Sequence, residues 1–246
     1  VTMGDPCGIG PEVIIKGLQE PSLHDVCHPL VIGDLSVIRA DVARFAPKMR
    51  VVPIQNVSEA VFQYGRLHVL ESSGPRDDRS SGTAARFTPG VMNAAAATAA
   101  LKAIEMAAKL ALALEIDGIA TAPIHKEAMK GIGFAFPGHT EFFAEAAHTE
   151  HFGMMMVGGG MKIMLASIHL PLREALSQLN TQDLLKTLRL TDTALKLDFG
   201  QPHPHIAVAG LNPHAGERGI LGQEEKTTIA PAIELALREG LNVSGP

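Results

Sequence analysis

Short apolar runs alternate with amphipathic stretches along most of this sequence. In the first half, "PLVIGD" (29–34), "VVPI" (51–54), "LHVL" (67–70) and "GIATAP" (118–123) have the length and β-branched content of buried strands. Helical spacing runs over 35–45 and, in an alanine-rich stretch, over 91–114. Val1–Met3 reads as the end of a first strand, leading through the glycine-rich loop 4–10 into a helix opened by Pro11. In the second half, "GMMMV" (153–157), "MKIMLASIH" (161–169) and the run Ile206–Leu211 predict strands, and helices are predicted from Thr140 to His148 and over 172–179, 181–198 and 224–239. The alternation predicts an α/β fold, a mostly parallel sheet covered by helices. Residues 72–90, rich in Ser, Gly, Asp and Pro, predict a long connection.

Composition narrows the function classes. With 246 residues, 46% of them hydrophobic, and a net charge of −5, the sequence has core enough for an enzyme and no basic stripe for nucleic acid or anionic lipid. The 91–114 stretch is broken by Lys102, Glu105 and Lys109, so it reads as a buried helix and not a membrane span. Two cysteines, Cys7 and Cys27, fit a reducing compartment, and the expected location is the cytoplasm.

The candidate chemistry lies in loops that follow strands, where ligands bind in open α/β sheets. The loop "GDPCGIGPE" (4–12) offers glycines next to a helix N-terminus, either as an anion cradle or as a tight turn; its spacing is not the dinucleotide fingerprint. Cys7 has no cationic sequence neighbour and reads as a packing thiol. In "FPGHTEFFAE" (136–145), His139 and Thr140 stand at a helix start, where Thr140 either caps the helix or faces an anion. His169 and His214 each end an apolar run, and two imidazoles from one sheet edge suit a divalent cation. Asp34 reads as a helix cap or a cleft residue; His125 is an intermediate case, and His24, His28, His68, His148, His151, His203 and His205 read as solvated or hydrogen-bonded.

Taken in order, "GDPCGIGPE", "APIHKEA", "PGHTEFFAE", "SIHLPLREA" and "GLNPHAGERGILGQEE" resemble the 4-hydroxythreonine-4-phosphate dehydrogenase family of vitamin B6 synthesis, over nearly the whole sequence. The resemblance implies two α/β/α lobes with a cleft between them, similar to isocitrate and isopropylmalate dehydrogenases, and a homodimer with active sites at the subunit boundary. The first lobe is expected over 1–125, completed by a C-terminal segment outside this sequence, and the second over 126–246. The implied reaction is NAD- or NADP-dependent oxidation and decarboxylation of 4-phosphohydroxy-L-threonine to 3-amino-2-oxopropyl phosphate, with a divalent metal (zinc, magnesium or cobalt). His139 and Thr140 match the pair that binds the phosphorylated substrate, and His169 and His214 match two of three metal-binding histidines. The third belongs to a His-Asp-Gln-Gly signature that this sequence does not contain, so part of the site is expected outside it. Glu217 is expected to orient a ligand. The alternatives are a dehydrogenase of erythronate or threonate 4-phosphate, or a non-catalytic relative. A cis-dihydrodiol dehydrogenase is disfavoured by the His-Thr pair, and a phosphate acyltransferase by the two histidines.

Overall fold

The computed structural model describes residues 1–72 and 87–246, so most of the predicted 72–90 connection lies outside the described residues. The chain forms two compact units, Val1–His148 and Thr149–Pro246. Residues 126–148 fall in the first unit, for a reason visible in the packing. Helix α5 (Lys126–Gly131) and the phenylalanines after it bury Ala128 and Met129 against α4 (Ala94–Leu112) of the first unit.

The first unit is built on parallel strands β1 (Leu30–Gly33), β2 (Arg50–Ile54) and β3 (Arg66–Glu71), in the order β1-β3-β2. Val31 pairs with Val69, and Val52 with His68. All four β1 residues are buried, as a parallel strand covered on both faces requires. The predicted strands at 1–3 and 118–123 are reduced to single bridges, Thr2 to Ile32 and Thr2 to Thr121, which extend the sheet beyond β1.

Helices α1 (Gly10–Gly17), α2 (Pro21–Val26) and α3 (Leu35–Phe45) fill the early connections. Asp34 is the cap of α3: its Oδ1 accepts from the backbone N–H of Ser36 at 2.9 Å and of Val37 at 3.2 Å. The alanine-rich α4 starts at Asn93, whose Oδ1 accepts from the Ala96 N–H at 2.8 Å. Alanine combines the best helix propensity with the smallest side chain, so neighbours can approach α4 closely. Its buried alanines and Ile104 contribute to three separate apolar clusters, each shared with a different part of the unit.

In the second unit, β4 (Met155–Gly158) and β5 (Met161–Met164) form an antiparallel hairpin. After the short α7 (Leu172–Gln178), α8 (Thr181–Leu197) packs on α9 (Ala230–Arg238) through Leu184, Leu185, Leu188, Ala232, Ile233 and Ala236. The predicted strand over 206–211 is confined to β6 (Ile206–Ala207), paired in parallel with β7 (Val243–Ser244). It is not buried as expected: Ala207, Ala209, Gly210 and Leu211 are exposed along a mainly apolar cavity of about 610 Å³. The strand predicted over 161–169 likewise stops at Met164, because the chain bends at Ala166 and Ser167.

One of the histidines read as solvated or hydrogen-bonded is hydrogen-bonded and deeply buried. His68, on β3, is 2% exposed; its Nε2 accepts from the Val61 N–H at 3.3 Å, leaving Nδ1 as the ring's N–H, buried without a partner. Burial, and secondarily Arg66, holds it below the usual 6.5, so the folded form keeps it neutral. The unfolded chain then binds the proton first. This stabilising term is complete above about pH 6.5 and is lost as pH falls through the lower folded value. Denaturant midpoints should therefore decline below pH 6.5, and His68→Gln, which keeps an acceptor for Val61, should flatten that decline. Equal slopes for both proteins would contradict the assignment.

Candidate functional site

The first loop is occupied by its own packing. Gly4 has φ +71°, and a Cβ there would lie 2.4 Å from the Pro123 carbonyl oxygen; one on Gly10 would lie 2.5 Å from that of Met3. Asp5 donates its N–H to Pro123 O at 2.9 Å and accepts from the Cys7 N–H at 2.8 Å. The glycines thus let the loop press against the chain at 122–123, which favours the tight-turn reading over an anion cradle. Cys7 is a buried thiol facing Asn93 Nδ2 at 3.5 Å, its pKa raised by burial and then by Asp5. His125 is likewise structural, accepting from the Ala128 N–H at 3.3 Å as the cap of α5.

His139 and Thr140 open α6 (His139–Ala146). The cap residue is Gly138, which has no side chain to bond the helix start. Thr140 is therefore not the cap; it lies in the first turn of α6, and the backbone N–H groups of a helix start are suited to anions. His139 stacks on Phe143, with ring centroids 6.2 Å apart, and its Nε2 is buried without a partner. Burial lowers its pKa, so at neutral pH it meets a ligand as a neutral imidazole. A neighbouring cleft of about 440 Å³ is lined by Lys126, Lys130, Phe134 and Phe136 and ends at Pro137, one residue before the cap.

The second unit carries His169 and His214, both exposed and both at φ 54°. His169 follows the bend after β5. His214 begins a rarer feature: residues 214–218, His-Ala-Gly-Glu-Arg, all have left-handed backbone angles, with φ between 46° and 72°. Only Gly216 among them lacks a Cβ, and each of the others costs about 1–2 kcal/mol in this conformation.

Several contacts offset that cost. Glu225 Oε1 accepts from the backbone N–H of Leu211 at 2.9 Å and of Asn212 at 2.7 Å, and its Oε2 accepts from Asn212 Nδ2 at 3.0 Å. These bonds hold the Glu225 carboxyl below its usual pKa although the residue is buried. Asn212 Nδ2 also donates to Glu224 at 2.8 Å, Gln223 Nε2 donates to Gly219 O at 2.9 Å, and Lys226 Nζ donates to Arg218 O. Sequence reasoning missed Glu225. The expected orienting residue, Glu217, is instead exposed on the turn, and its carboxylate takes no hydrogen bond among the described residues. The only sequence trace of Glu225 is the acidic pair "EE" ahead of a helix.

Two exposed imidazoles in one unit fit the nitrogen portion of a divalent-metal site. Among the described residues no three His, Cys, Asp or Glu side chains gather as a metal-binding group.

Residues 25–246 match the family described as "Pyridoxal phosphate biosynthetic protein PdxA". The chain belongs to the PdxA family. It is 42% identical to the 4-hydroxythreonine-4-phosphate dehydrogenase of Desulforapulum autotrophicum, over all of this chain and 70% of that protein. It is 37% identical to the D-threonate 4-phosphate dehydrogenase of Pectobacterium atrosepticum, over all of this chain and 73% of that one. A crystal structure of 4-hydroxythreonine-4-phosphate dehydrogenase from Klebsiella pneumoniae superposes with a TM-score of 0.87 at 37% identity, covering all of this chain and 73% of that one. These PdxA-family likenesses bear out the α/β fold expected from the alternation of runs.

The first loop makes a direct test of the packing. Gly4→Ala should destabilise the protein by about 2–4 kcal/mol, from left-handed strain plus overpacking, read as a lower denaturant midpoint. A loss under about 0.5 kcal/mol would refute the close approach to Pro123.

Proposed function

We propose that this protein catalyses NAD- or NADP-dependent oxidation of 4-phosphohydroxy-L-threonine, followed by decarboxylation. The observation that carries the reading is the family match across 25–246, which includes every loop bearing a candidate residue from His125 to His214. The site fits a small phosphorylated substrate. The start of α6, whose cap residue Gly138 brings no side chain, offers partial positive charge and the Thr140 hydroxyl to a phosphate, and neutral His139 adds a hydrogen bond through Nε2. Lys126 and Lys130 raise the local positive potential.

His169 and His214 are the residues that would hold a zinc, magnesium or cobalt ion. When bound, the cation supplies Lewis acidity toward the substrate's alcohol and later its ketone, and the nicotinamide supplies the hydride acceptor. His139 and Thr140 would fix the phosphate end of the substrate, so that it is held in one orientation. A third metal ligand, a homodimer with its site at the subunit boundary, and a cytoplasmic location complete the proposal. No described helix is long and apolar enough to cross a membrane.

A second reading is favoured by the relative named D-threonate 4-phosphate dehydrogenase, at 37% identity against 42% for the first relative above. Both substrates carry a phosphate for the same α6 start, so that end of the site does not separate them.

The test is nicotinamide reduction by the full-length protein with 4-phosphohydroxy-L-threonine, D-threonate 4-phosphate and erythronate 4-phosphate, before and after chelation. Chelator-sensitive turnover fastest with the hydroxythreonine is expected. Thr140→Val should raise KM about tenfold with kcat nearly unchanged, as for loss of uniform binding. His169→Ala and His214→Ala should each lower kcat/KM by at least about 100-fold. Preference for a sugar acid phosphate would select the second reading, and turnover indifferent to chelation and to both histidines would refute the metal role.

A further inference from the structure

We propose that Glu225 is a positioning residue that aims His214 at its ligand by holding the left-handed turn from beneath; this rests on the reading of His214 as a metal-binding residue. The His214 ring is exposed and takes no hydrogen bond among the described residues, so the place from which the imidazole is presented, and the rotamers open to it, are set by the backbone conformation. That conformation is intrinsically costly for four of its five residues. An external constraint must therefore select it.

Glu225 touches the chain on both sides of His214. Before it, one carboxylate oxygen receives the N–H groups of Leu211 and Asn212. After it, Gly216 lies against the other oxygen so closely that a Cβ would come within 2.6 Å of Oε2. The Asn212 side chain, donating to both Glu225 and Glu224, closes the same cluster, and the Asn212 carbonyl accepts from the Ala215 N–H at 3.1 Å. A single carboxylate thus spans the entry and the middle of the turn.

The sequence explains why the carboxylate is there. Pro231 lacks the N–H that would bond to Thr227, and its ring would crowd that carbonyl. The helix accordingly opens with a π turn, Glu225–Ile229, whose closing bond runs from the Ala230 N–H to Glu225 O. This widened turn carries Glu225 at 5% exposure, and its base is tied to α8 by Thr181 Oγ1 donating to Thr228 O at 3.1 Å. The acceptor is therefore fixed to the helical core of the unit, and the turn hangs from it.

The experiment uses the full-length protein with Glu225→Ala, Glu225→Gln and His214→Ala. Two quantities are read: amide hydrogen exchange of the peptide covering 208–213, and Co²⁺ affinity with its visible absorption spectrum. Glu225→Ala should expose the Leu211 and Asn212 amides and weaken Co²⁺ binding about 10- to 100-fold, the range for residues that orient a ligand from outside the coordination sphere. Glu225→Gln, which keeps one oxygen for the two backbone amides, should fold and fall between Glu225→Ala and wild type in both readouts. It serves as the deciding variant if the alanine protein does not fold. If His214→Ala loses Co²⁺ while the folded Glu225 variants keep wild-type exchange and affinity within about twofold, the positioning role is overturned. If His214→Ala binds Co²⁺ as wild type does, the metal reading itself fails, and the exchange data alone decide whether Glu225 holds the turn.

Discussion

A stretch of L-residues wound left-handed is stable only where its surroundings leave no other choice, and residues 214–218 meet that condition through one buried carboxylate. Glu225 satisfies the Leu211 and Asn212 amides at the entry of the turn and leaves room at its middle only for the glycine found there. Both halves of the arrangement are needed. Without the acceptor, two partly buried N–H groups would lose their partner; without Gly216, a side chain would collide with it. The backbone conformation at His214 follows from this cluster.

The first unit solves a different problem by a plainer route. Its sheet is flanked by α4, whose small side chains let several elements approach one helix, including the segment that carries α5 and α6. That packing explains why residues 126–148 belong with the first unit, and why the start of α6 rests on a firm base. A helix end proposed to hold an anion needs such a rigid scaffold, because backbone amides would supply most of the interaction.

Much of this was legible in the sequence where local pattern and tertiary context agree. The run at 30–33 and the helix at 35–45 were readable from apolar spacing, and the Asp34 cap from its place between them. The strands over 161–169 and 206–211 came out shorter than their apolar runs, because apolar character marks burial against any surface and does not guarantee a ladder partner. His68 looked polar in sequence and is buried, since its β3 neighbours place it on the inner side of a parallel sheet. The left-handed turn had no sequence signal beyond its glycines, and Glu225 had almost none. Its role depends on a π turn induced six residues later by Pro231 and on contacts that cross a loop, neither of which has a period to read. The family resemblance supplied the expected roles of His139, Thr140, His169 and His214; the structure adds how the backbone at His214 is held.

The most direct test of the account is anomalous diffraction at the zinc edge from crystals of the full-length protein grown with zinc. An anomalous peak about 2.0–2.1 Å from an imidazole nitrogen of both His169 and His214, with residues 214–218 still left-handed, is the expected result. Zinc bound elsewhere with both imidazoles free, or a right-handed backbone at His214 in the metal-bound protein, would contradict it.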